Sequence, residues 1–386
     1  MKVLFDFRKY DGVIGGVEQG VIQITKYMGS HGHKVTVLCK KNRLEDVTAI
    51  YKETANIDIL PLNVDTHAMS SKNRKLDSTT IQDIAAERNI DIIHFFYNWS
   101  FPKKNKRPSV LTVHDVIPFT FREAMGLYRN LVLYKPGIRK ACALNDMIAT
   151  VSEFSKRDIA EKVHVNEDKI QVIPNGLRTP NPEESSLEDE LRHRYNLDRF
   201  IINVGGIHER KNIVRLVQTF ALVVKQGFKG KLLITGNVSG HTYQMKMKQK
   251  IDSVIEELRL GERIVFTGFV SERELDSLFR MAEILIYPSL YEGFGIPILE
   301  AMKMGLPVIT SNTTAMPEVA GEAALLVDPL NIDDMAKEML RLMDNIELQN
   351  DLKEKGLQRA AAYTWERTSK MYLDLYEGII SSQGRS

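Results

Sequence analysis

Residues 287–307 combine glycines with carboxylates in a pattern suited to binding an anion together with hydroxyl groups. Gly293 and Gly295 carry no Cβ that would hold a ligand away, and backbone N–H groups at the start of a helix attract anions. Glu292 and Glu300 add carboxylate oxygens, which accept hydrogen bonds from hydroxyl groups. A helix whose early Glu merely complements the macrodipole is the structural alternative. The whole arrangement favours a ligand site.

A second cluster, Gly-Gly-Ile-His-Glu-Arg-Lys-Asn, occupies residues 205–212. Gly205 and Gly206 follow a predicted strand, and Arg210 and Lys211 precede a predicted helix. The two cations are thus expected at the carboxyl edge of a sheet, where open α/β sheets bind ligands and where a diphosphate would be neutralised. An Arg-Lys pair alone is a common solvated pair. Its predicted position at the same sheet edge as the Gly293 loop favours a ligand.

The first half of the chain has glycines between its first predicted strand and helix, including Gly12, Gly15 and Gly16. Their spacing differs from the dinucleotide fingerprint Gly-x-Gly-x-x-Gly, which disfavours a nicotinamide enzyme. A close approach to a ligand and a simple tight turn both remain open. His114 and Asp115 end a later predicted strand, again at a carboxyl edge. A lone His is usually structural, so this pair gains meaning only if it faces a cleft.

Short β-branched runs alternate with longer amphipathic stretches, the pattern of parallel sheets covered by helices. The pattern occurs twice, so the sequence predicts an α/β protein with two doubly wound domains. Predicted strands are 2–7, 34–39, 91–96, 109–113, 147–151 and 170–173, then 200–204, 231–235, 263–267, 284–287, 307–310 and 324–327. Predicted helices include 17–28, 153–163, 213–226, 244–259, 272–281, 297–304 and 365–380.

A polar stretch with several prolines separates the two halves and shows no strand pattern before residue 200. Such composition is typical of a connection between domains. We therefore predict a first domain over residues 1–178, a linker over 179–198, a second domain over 199–363 and a C-terminal helix over 364–386.

Taken in order, these segments resemble the motifs of the retaining glycosyltransferases of family 4, also called glycosyl transferases group 1. Glu292 and Glu300, with seven residues between them, match the paired-Glu motif, and residues 205–212 match the phosphate-binding segment. The pair His114-Asp115 matches the first-domain motif, and residues 150–153 and 174–176 match inter-domain landmarks. Many family members have Arg where Gly206 stands here, so the phosphate charge would fall on the two cations that follow.

This resemblance implies the GT-B fold, with two facing Rossmann-like domains, of which the first is the acceptor-side domain and the second binds the nucleotide-sugar donor. It also implies that the C-terminal helix returns to the first domain. It implies a hexosyltransferase that uses a UDP or GDP sugar, without metal or cofactor, and a glycan or lipid-linked acceptor in cell-envelope polysaccharide or glycoconjugate synthesis. Nucleic acid is not an expected partner. Glycogen-type or sucrose-type transferases of the same fold, and a catalytically silent nucleotide-sugar-binding protein, are the alternatives. The silent protein would be expected to lose Lys211 or the paired Glu, and both are present.

The resemblance also implies roles for individual residues. Catalytic roles are expected for His114, Arg210, Lys211 and Glu292. Glu292 would bind the donor sugar, Glu300 the ribose, and the turn at Val270 and Ser271 would border the base. The full set of expected substrate contacts is Gly15, Gly16, Asp115, Gly205, Gly206, Val270, Ser271, Gly293, Phe294, Gly295 and Glu300.

Breaking a sugar–diphosphate bond leaves negative charge on the phosphate, so catalysis requires a preorganised cationic site. Lys211, Arg210 and the amides of Gly293 and Gly295 are expected to supply it. No second carboxylate is placed as a nucleophile, so front-face attack by the acceptor hydroxyl is the expected route to retention. No Asp-x-Asp pair stands at a strand end, which agrees with metal independence.

Composition and charge limit the classes of protein to which this chain can belong. The 386 residues are 43% hydrophobic and 26% charged, as in ordinary globular proteins, and they include two cysteines. No run reaches the ~18 apolar residues of a membrane span, so we expect a cytoplasmic protein, at the inner face of the membrane if it binds lipid.

Residues 1–170 carry a net charge of +6 and the remainder −4. The basic clusters at 40–43, 72–75 and 103–107 indicate contact with anionic lipid or with a phosphorylated acceptor or, equally, a solvated face with counter-charges.

Overall fold

The computed structural model describes residues 1–63, 76–97, 106–122, 125–179, 187–236 and 242–383. The chain forms two compact units. The first unit comprises Met1–Phe119, Gly126–Gly176 and Tyr363–Ser386, and the second comprises Thr120–Met125 and Leu177–Ala362. Each contains one parallel sheet with helices, so the predicted α/β class is correct. The acceptor and donor roles of the two domains remain predictions, and residues 180–186 of the predicted linker lie outside the described part of the chain.

The first unit is built on a seven-stranded parallel sheet with the order β3-β2-β1-β4-β5-β6-β7. Its strands are β1 (Lys2–Asp6), β2 (Lys34–Lys40), β3 (Ile57–Leu62), β4 (Ile92–Phe95), β5 (Ser109–Thr112), β6 (Met147–Thr150) and β7 (Ile170–Val172). In β1, Val3 stands opposite Val35 on one side and Ile92 on the other. The strand order therefore reverses direction between β1 and β4, and ligands of open α/β sheets bind in the crevice at such a point.

Six of these strands match predicted strands, and β3 was missed. Its sequence contains Asp58 and Pro61, which weaken a strand pattern. Proline is tolerated at the edge of a sheet because its missing N–H is not needed there. β3 is an edge strand, and Pro61 pairs with Cys39 of β2. The sheet position, which sequence alone does not give, explains the missed strand.

Helices alternate with the strands of the first unit along the chain. Its described α-helices are Gly16–Ser30, Leu44–Tyr51, Thr80–Glu87, Lys135–Leu144, Glu153–Ile159 and Trp365–Gln383, with π-helical turns at Arg129–Tyr134 and Ala160–His164. Ser152 begins the helix Glu153–Ile159 by accepting a hydrogen bond from the Ser155 amide at 2.9 Å. The predicted helix 153–163 is thus an α-helix continued by a π-helical turn.

The C-terminal helix Trp365–Gln383 contributes Tyr372 and Tyr376 to the core of the first unit. Both tyrosines reach a buried polar network around His94, which is fully buried. His94 Nδ1 lies 2.5 Å from the Tyr376 hydroxyl, and Nε2 lies 2.7 Å from Thr112 Oγ1. Phe95 and Phe96, which follow His94 in the chain, are also buried. Residues 98–105 lie outside the described part of the chain.

The second unit has a six-stranded parallel sheet with the order β10-β9-β8-β11-β12-β13. Its strands are β8 (Phe200–Val204), β9 (Lys231–Thr235), β10 (Ile264–Gly268), β11 (Leu285–Tyr287), β12 (Val308–Ser311) and β13 (Leu325–Val327). All six correspond to predicted strands. Here the order reverses between β8 and β11, so the loops that follow these two strands flank the expected crevice.

The described α-helices of the second unit are Glu188–Tyr195, Ile213–Lys225, Thr242–Glu257, Glu272–Met281, Ile296–Lys303, Met316–Ala320, Ile332–Asp344 and Ile346–Ala361. A short 3-10 turn, Glu209–Lys211, precedes the helix Ile213–Lys225. The first of these helices lies within the predicted linker. The core of the unit includes Ile201, Leu216 and Ile286, which belong to β8, the helix Ile213–Lys225 and β11.

Protonation of His94 is expected to weaken the first unit in acid. Burial lowers the pKa of His94 from 6.5 to about 3, so the folded chain keeps it neutral where the unfolded chain binds a proton. The free energy of unfolding should therefore fall as pH drops below about 6.5, by roughly 1.4 kcal/mol per pH unit from this residue. His94→Gln should remove that part of the slope, measured by urea denaturation with tryptophan fluorescence. The exposed variant His193→Gln should keep it, and an unchanged slope in His94→Gln would refute the assignment.

Candidate functional site

The loops after β8 and β11 carry the cations and the first carboxylate that the sequence singled out. Arg210 and Lys211 lie in the short turn after β8, and Glu292 lies in the loop after β11. Glu292 Oε1 is 2.7 Å from Arg210 Nη1 and 2.7 Å from Lys211 Nζ. Lys211 Nζ also donates to the Tyr287 hydroxyl at 2.5 Å. The structure therefore brings these three predicted residues together in one buried group, which we call the cation–carboxylate group.

The charges of this group do not balance. Lys211 is 5% exposed and Glu292 is 7% exposed, so both are withdrawn from bulk water. Burial alone would raise the pKa of Glu292, but the charges of Lys211 and Arg210 outweigh it and hold that pKa below its ordinary value. With Glu292 ionised, two positive charges face one negative charge. The remaining positive charge favours an anionic ligand.

Hydrogen bonds between the two loops fix this group in place. The Leu290 amide donates to the Arg210 carbonyl at 2.7 Å. The buried Asn212 side chain donates to the carbonyls of Pro288, at 3.2 Å, and Pro329, at 2.6 Å. Asn212 has φ 61°, in the left-handed region that Asn tolerates. The cations are thus held by backbone contacts as well as by their carboxylate partner.

Gly205 provides the space that Lys211 occupies. It has φ 126°, and a Cβ on this residue would lie 2.7 Å from Lys211 Nζ. Both Gly205 and Gly206 donate their N–H groups to the Thr235 carbonyl, at 3.2 and 3.0 Å. These amides are therefore engaged by β9, and the observed contribution of Gly205 is room for the lysine. Direct contact of Gly205 and Gly206 with a ligand remains a prediction.

The predicted helix after the Gly293 loop is present as Ile296–Lys303, with proline in its first turn. Gly295 precedes it with φ 107°, a conformation that favours glycine. Phe294 is buried, and the Glu292 amide donates to Thr314 Oγ1 at 3.2 Å. The helix therefore begins only a few residues after Glu292, which belongs to the cation–carboxylate group. Binding of a ligand by the amides of Gly293 and Gly295 remains a prediction.

Glu300 has a different partner from Glu292. Its Oε1 lies 3.3 Å from Nε of Arg178, whose guanidinium also donates Nη1 to Asp276 at 2.8 Å. Burial raises the pKa of Glu300 above its ordinary value, although the Arg178 charge opposes this. The sequence predicted Glu300 as a ribose ligand and identified neither Arg178 nor Asp276 as its neighbours.

Ser271 begins the helix Glu272–Met281, and its hydroxyl accepts a hydrogen bond from the Glu274 amide at 3.2 Å. The Glu274 carboxylate in turn accepts from the Ser271 amide at 2.8 Å, which completes a capping box. This turn follows β10 at the carboxyl edge of the sheet, and Val270 is half-buried. The structure gives Ser271 a capping function, and the contact of Val270 and Ser271 with a base remains a prediction.

In the first unit, the glycine loop after β1 is exposed at Gly15 and Gly16. Gly15 precedes the helix Gly16–Ser30, and its amide donates to Glu18 Oε2 at 3.2 Å. A carboxylate therefore already complements this helix start. Tyr97 also donates to Glu18 Oε1, at 3.3 Å. Contact of Gly15 and Gly16 with substrate remains a prediction, and Glu18 and Tyr97 are neighbours that the sequence did not indicate.

His114 follows β5 and packs against Phe96, with the ring centroids 5.2 Å apart. Burial, together with the charge of Lys9, lowers the pKa of His114 to about 4, so the imidazole is neutral near pH 7. Its Nε2 is buried and has no hydrogen-bond partner in the part of the chain that the structure describes. Asp115 accepts a hydrogen bond from the Ile117 amide at 3.0 Å. A neutral His114 suits a hydrogen-bonding role, and its assignment to catalysis remains a prediction.

The residues missed by sequence reasoning are Tyr287, Arg178, Asp276, Thr314 and Glu18. Tyr287 ends β11 and has the pattern of a core aromatic residue, although its hydroxyl meets Lys211. The others lack a motif, since their partners are 22 to 122 residues away along the chain or belong to an ordinary helix start. The position of Arg178 shortly after an Asn-Gly turn was the one signal available.

Two family models match the chain. One, described as Glycosyl transferases group 1, matches residues 188–359, and the other, described as Glycosyltransferase Family 4, matches residues 14–179. The chain is 27% identical over 291 residues to O-antigen chain mannosyltransferase B of Escherichia coli, and the match covers 74% of each protein. It is 24% identical over 336 residues to the serotype-specific mannosyltransferase WbdA of Escherichia coli, a match that spans 83% of this chain and 40% of WbdA.

The fold also has counterparts among solved structures. The crystal structure of Anabaena HepE in complex with UDP and glucose has a TM-score of 0.75 to this chain at 16% identity, covering 98% of this chain and 100% of HepE. This likeness confirms the predicted GT-B fold with two Rossmann-like α/β domains. The chain belongs to glycosyltransferase family 4, as its sequence motifs indicated.

Substituting Gly205 tests the position of Lys211. The added methyl group of Gly205→Ala would lie 2.7 Å from Lys211 Nζ and should displace the ammonium from Glu292. We expect turnover to fall on the order of 10²-fold, as for loss of one charged donor at a transition state. Gly227→Ala is a matched control, because Gly227 has φ 103° and a Cβ added there would meet nothing within 4 Å among the described residues. Equal activity of the two variants would contradict the placement of Lys211.

Proposed function

We propose that this chain transfers a mannosyl residue, with retention of configuration, from a nucleoside-diphosphate mannose to a hydroxyl group of a glycan or lipid-linked acceptor. The proposal rests on the cation–carboxylate group, in which Arg210 and Lys211 exceed the charge of Glu292 by one. A departing diphosphate carries charge of the opposite sign. The mannosyl specificity is supported by the names of the relatives, and assembly of a cell-surface polysaccharide is the corresponding setting.

In this proposal the chain's residues stabilise the departing phosphate rather than attack the sugar. Lys211 Nζ and Arg210 Nη1 neutralise the charge that develops as the bond between the sugar C1 and the phosphate oxygen breaks. The amides of Gly293 and Gly295 add hydrogen bonds at the helix start. The acceptor oxygen forms its bond to C1 on the same face, and its proton passes to the departing phosphate. No metal ion takes part in this scheme.

The other predicted contacts are assigned accordingly. Glu292, which is ionised, accepts hydrogen bonds from hydroxyl groups of the donor sugar, and Glu300 accepts from the ribose. Val270 and Ser271 border the base. His114 is neutral, so it hydrogen-bonds the reacting sugar without adding a charge. Asp115 and the loop at Gly15 and Gly16 serve the acceptor and phosphate side. Each of these roles belongs to the proposal.

A panel of nucleotide sugars tests the function directly. We expect GDP-mannose or UDP-mannose to raise the melting temperature more than the corresponding glucose donors, and to support transfer that persists in EDTA with the α-anomeric configuration of the donor kept. Lys211→Ala should lower turnover on the order of 10²-fold, whereas the exposed Lys225→Ala should not. Full loss in EDTA restored by manganese would overturn metal independence. A preference for UDP-glucose with a sucrose-type or glycogen-type acceptor would favour the alternative transferases.

We further propose that the first unit contacts an anionic membrane, through a surface other than the basic clusters seen in the sequence. Of those clusters, Lys40 pairs with Asp11, Arg43 lies 3.1 Å from Asp46, and Lys106 lies 2.8 Å from Asp83. Residues 72–75 and 103–105 lie outside the described chain. Counter-charges next to the described members reduce their attraction for lipid.

The helical segment 127–144 is better suited to a membrane surface. It exposes large apolar side chains, including Tyr128 at 71%, Leu131 at 50% and Val132 at 50%. It also carries four cations, and no Asp or Glu occurs from residue 124 to residue 145. Exposed apolar residues beside cations are typical of helices that lie in the headgroup region of anionic bilayers. Among the residues described, no helix is long and apolar enough to cross a bilayer.

Vesicle binding tests this surface. Vesicles with anionic phosphatidylglycerol should sediment the protein at low salt, and neutral phosphatidylcholine vesicles should not. Replacing Leu131 and Val132 by Ser should weaken binding about tenfold, because less apolar area leaves water. The matched replacement of the exposed Ile346 and Leu357 should have no effect. Equal recruitment of the two double variants would assign any membrane binding to another surface.

A further inference from the structure

Arg178 links two helices of the second unit through its side chain and its backbone. Its guanidinium makes a two-point contact with the carboxylate of Asp276 and lies 3.3 Å from Oε1 of Glu300. Lys303, one turn after Glu300 on the helix Ile296–Lys303, donates its Nζ to the Arg178 carbonyl at 2.7 Å. Glu272, one turn before Asp276, accepts from Arg178 Nη2 through its own carbonyl at 3.4 Å. The arginine is therefore fixed from both helices.

Charged groups of both signs surround Glu300. Arg178 and Lys303 favour ionisation of Glu300, whereas the carboxylates of Asp276 and Glu272 oppose it. Burial raises the pKa of Glu300, Arg178 lowers it, and the carboxylates of Asp276 and Glu272 raise it again. Lys303 has its own pKa lowered, first by burial and then by the Arg178 charge. Removing the guanidinium would leave Glu300 buried beside the negative charges of Asp276 and Glu272, with the charge of Lys303 still opposing them. A protonated carboxyl group is a poorer acceptor for hydroxyl groups than a carboxylate.

The contact with Arg178 leaves acceptor capacity on Glu300. An ionised carboxylate has about four acceptor sites, and Arg178 Nε takes one of them, on Oε1. The fork of the guanidinium is occupied by Asp276, so Nε is the group directed to Glu300. The two-point contact with Asp276 fixes the orientation of the guanidinium, so its Nε donates to Glu300 from one direction. Glu300 Oε1 thus has a fixed donor, and the carboxylate can still accept hydrogen bonds from a ligand.

We propose that Arg178 is a positioning residue for donor binding, which keeps Glu300 ionised and oriented toward the ribose of the nucleotide. This inference rests on the proposed function, in which Glu300 accepts hydrogen bonds from that ribose. Arg178 acts through Glu300 and does not touch the reacting atoms. Its loss should therefore weaken nucleotide binding and raise KM for the donor, while kcat at saturating donor changes little.

The decisive measurement is the Kd of UDP and of GDP as a function of pH, by calorimetry from pH 5.5 to 8.5. In Arg178→Gln we expect the tighter-binding nucleotide to lose about tenfold in affinity at pH 5.5, the value of one charge-assisted hydrogen bond, and to recover as pH rises and Glu300 ionises. In the double variant Arg178→Gln/Glu300→Gln the loss of affinity relative to the wild type should no longer depend on pH, because the carboxyl group that titrates is absent. Arg178→Lys, which keeps the positive charge, should show the same trend to a smaller extent and serves if Arg178→Gln fails to fold.

Arg194→Gln is the matched control. Arg194 pairs with Glu274 on the same helix as Asp276, but it lies on the exposed side and does not contact Glu300. It should bind nucleotide like the wild type at every pH. If Arg178→Gln binds like the wild type, or loses affinity equally at all pH values, the positioning role is wrong and Arg178 is only a helix anchor. If the wild type binds neither nucleotide, the proposed function fails, and the inference with it, before any variant is compared.

Discussion

Two cations that share one buried carboxylate are the interaction on which the candidate site depends. A buried charge is costly unless it is paired, and here Glu292 is the partner that allows Arg210 and Lys211 to remain charged away from water. Among these three side chains, the two positive charges exceed the one negative charge. Such an excess favours an anionic ligand over a neutral one. The same feature explains why Glu292 is ionised despite its burial.

The backbone of the second unit is arranged so that this interaction forms between two different loops. The reversal of strand order at β8 and β11 makes the ends of these strands neighbours, although about 80 residues separate the partners along the chain. Gly205 leaves the volume that Lys211 fills, and Asn212 ties its own turn to the carbonyl of Pro288. These residues therefore depend on one another. Gly205 leaves space for Lys211, and the side chain of Asn212 anchors the turn that carries both cations.

Much of the fold and part of the site follow from the sequence alone. Hydrophobic periodicity locates strands such as β8 and β9 because a parallel strand is buried on both faces and must be apolar throughout. The same pattern does not locate β3, because an edge strand tolerates Asp and Pro. Motif spacing placed Lys211 and Glu292 at one sheet edge, and the structure places them in contact.

What the sequence did not provide is the identity of partners that are distant along the chain. Nothing in the local pattern around Arg178 specifies Asp276 or Glu300 as its neighbours, because their contact depends on how two helices pack. The basic clusters show the same limit. A run of cations can be read from the sequence, but the carboxylates that pair with them, such as Asp83 with Lys106, cannot. The exposed apolar side of segment 127–144 likewise appears only when burial is known.

The most direct test of the central claim is a crystal structure of the protein with bound UDP or GDP. We expect the terminal phosphate within about 3 Å of Lys211 Nζ and of the Arg210 guanidinium, with Glu292 released from at least one of these cations. A nucleotide whose diphosphate lies away from both cations, with the contacts of Glu292 to Arg210 and Lys211 unchanged, would contradict it.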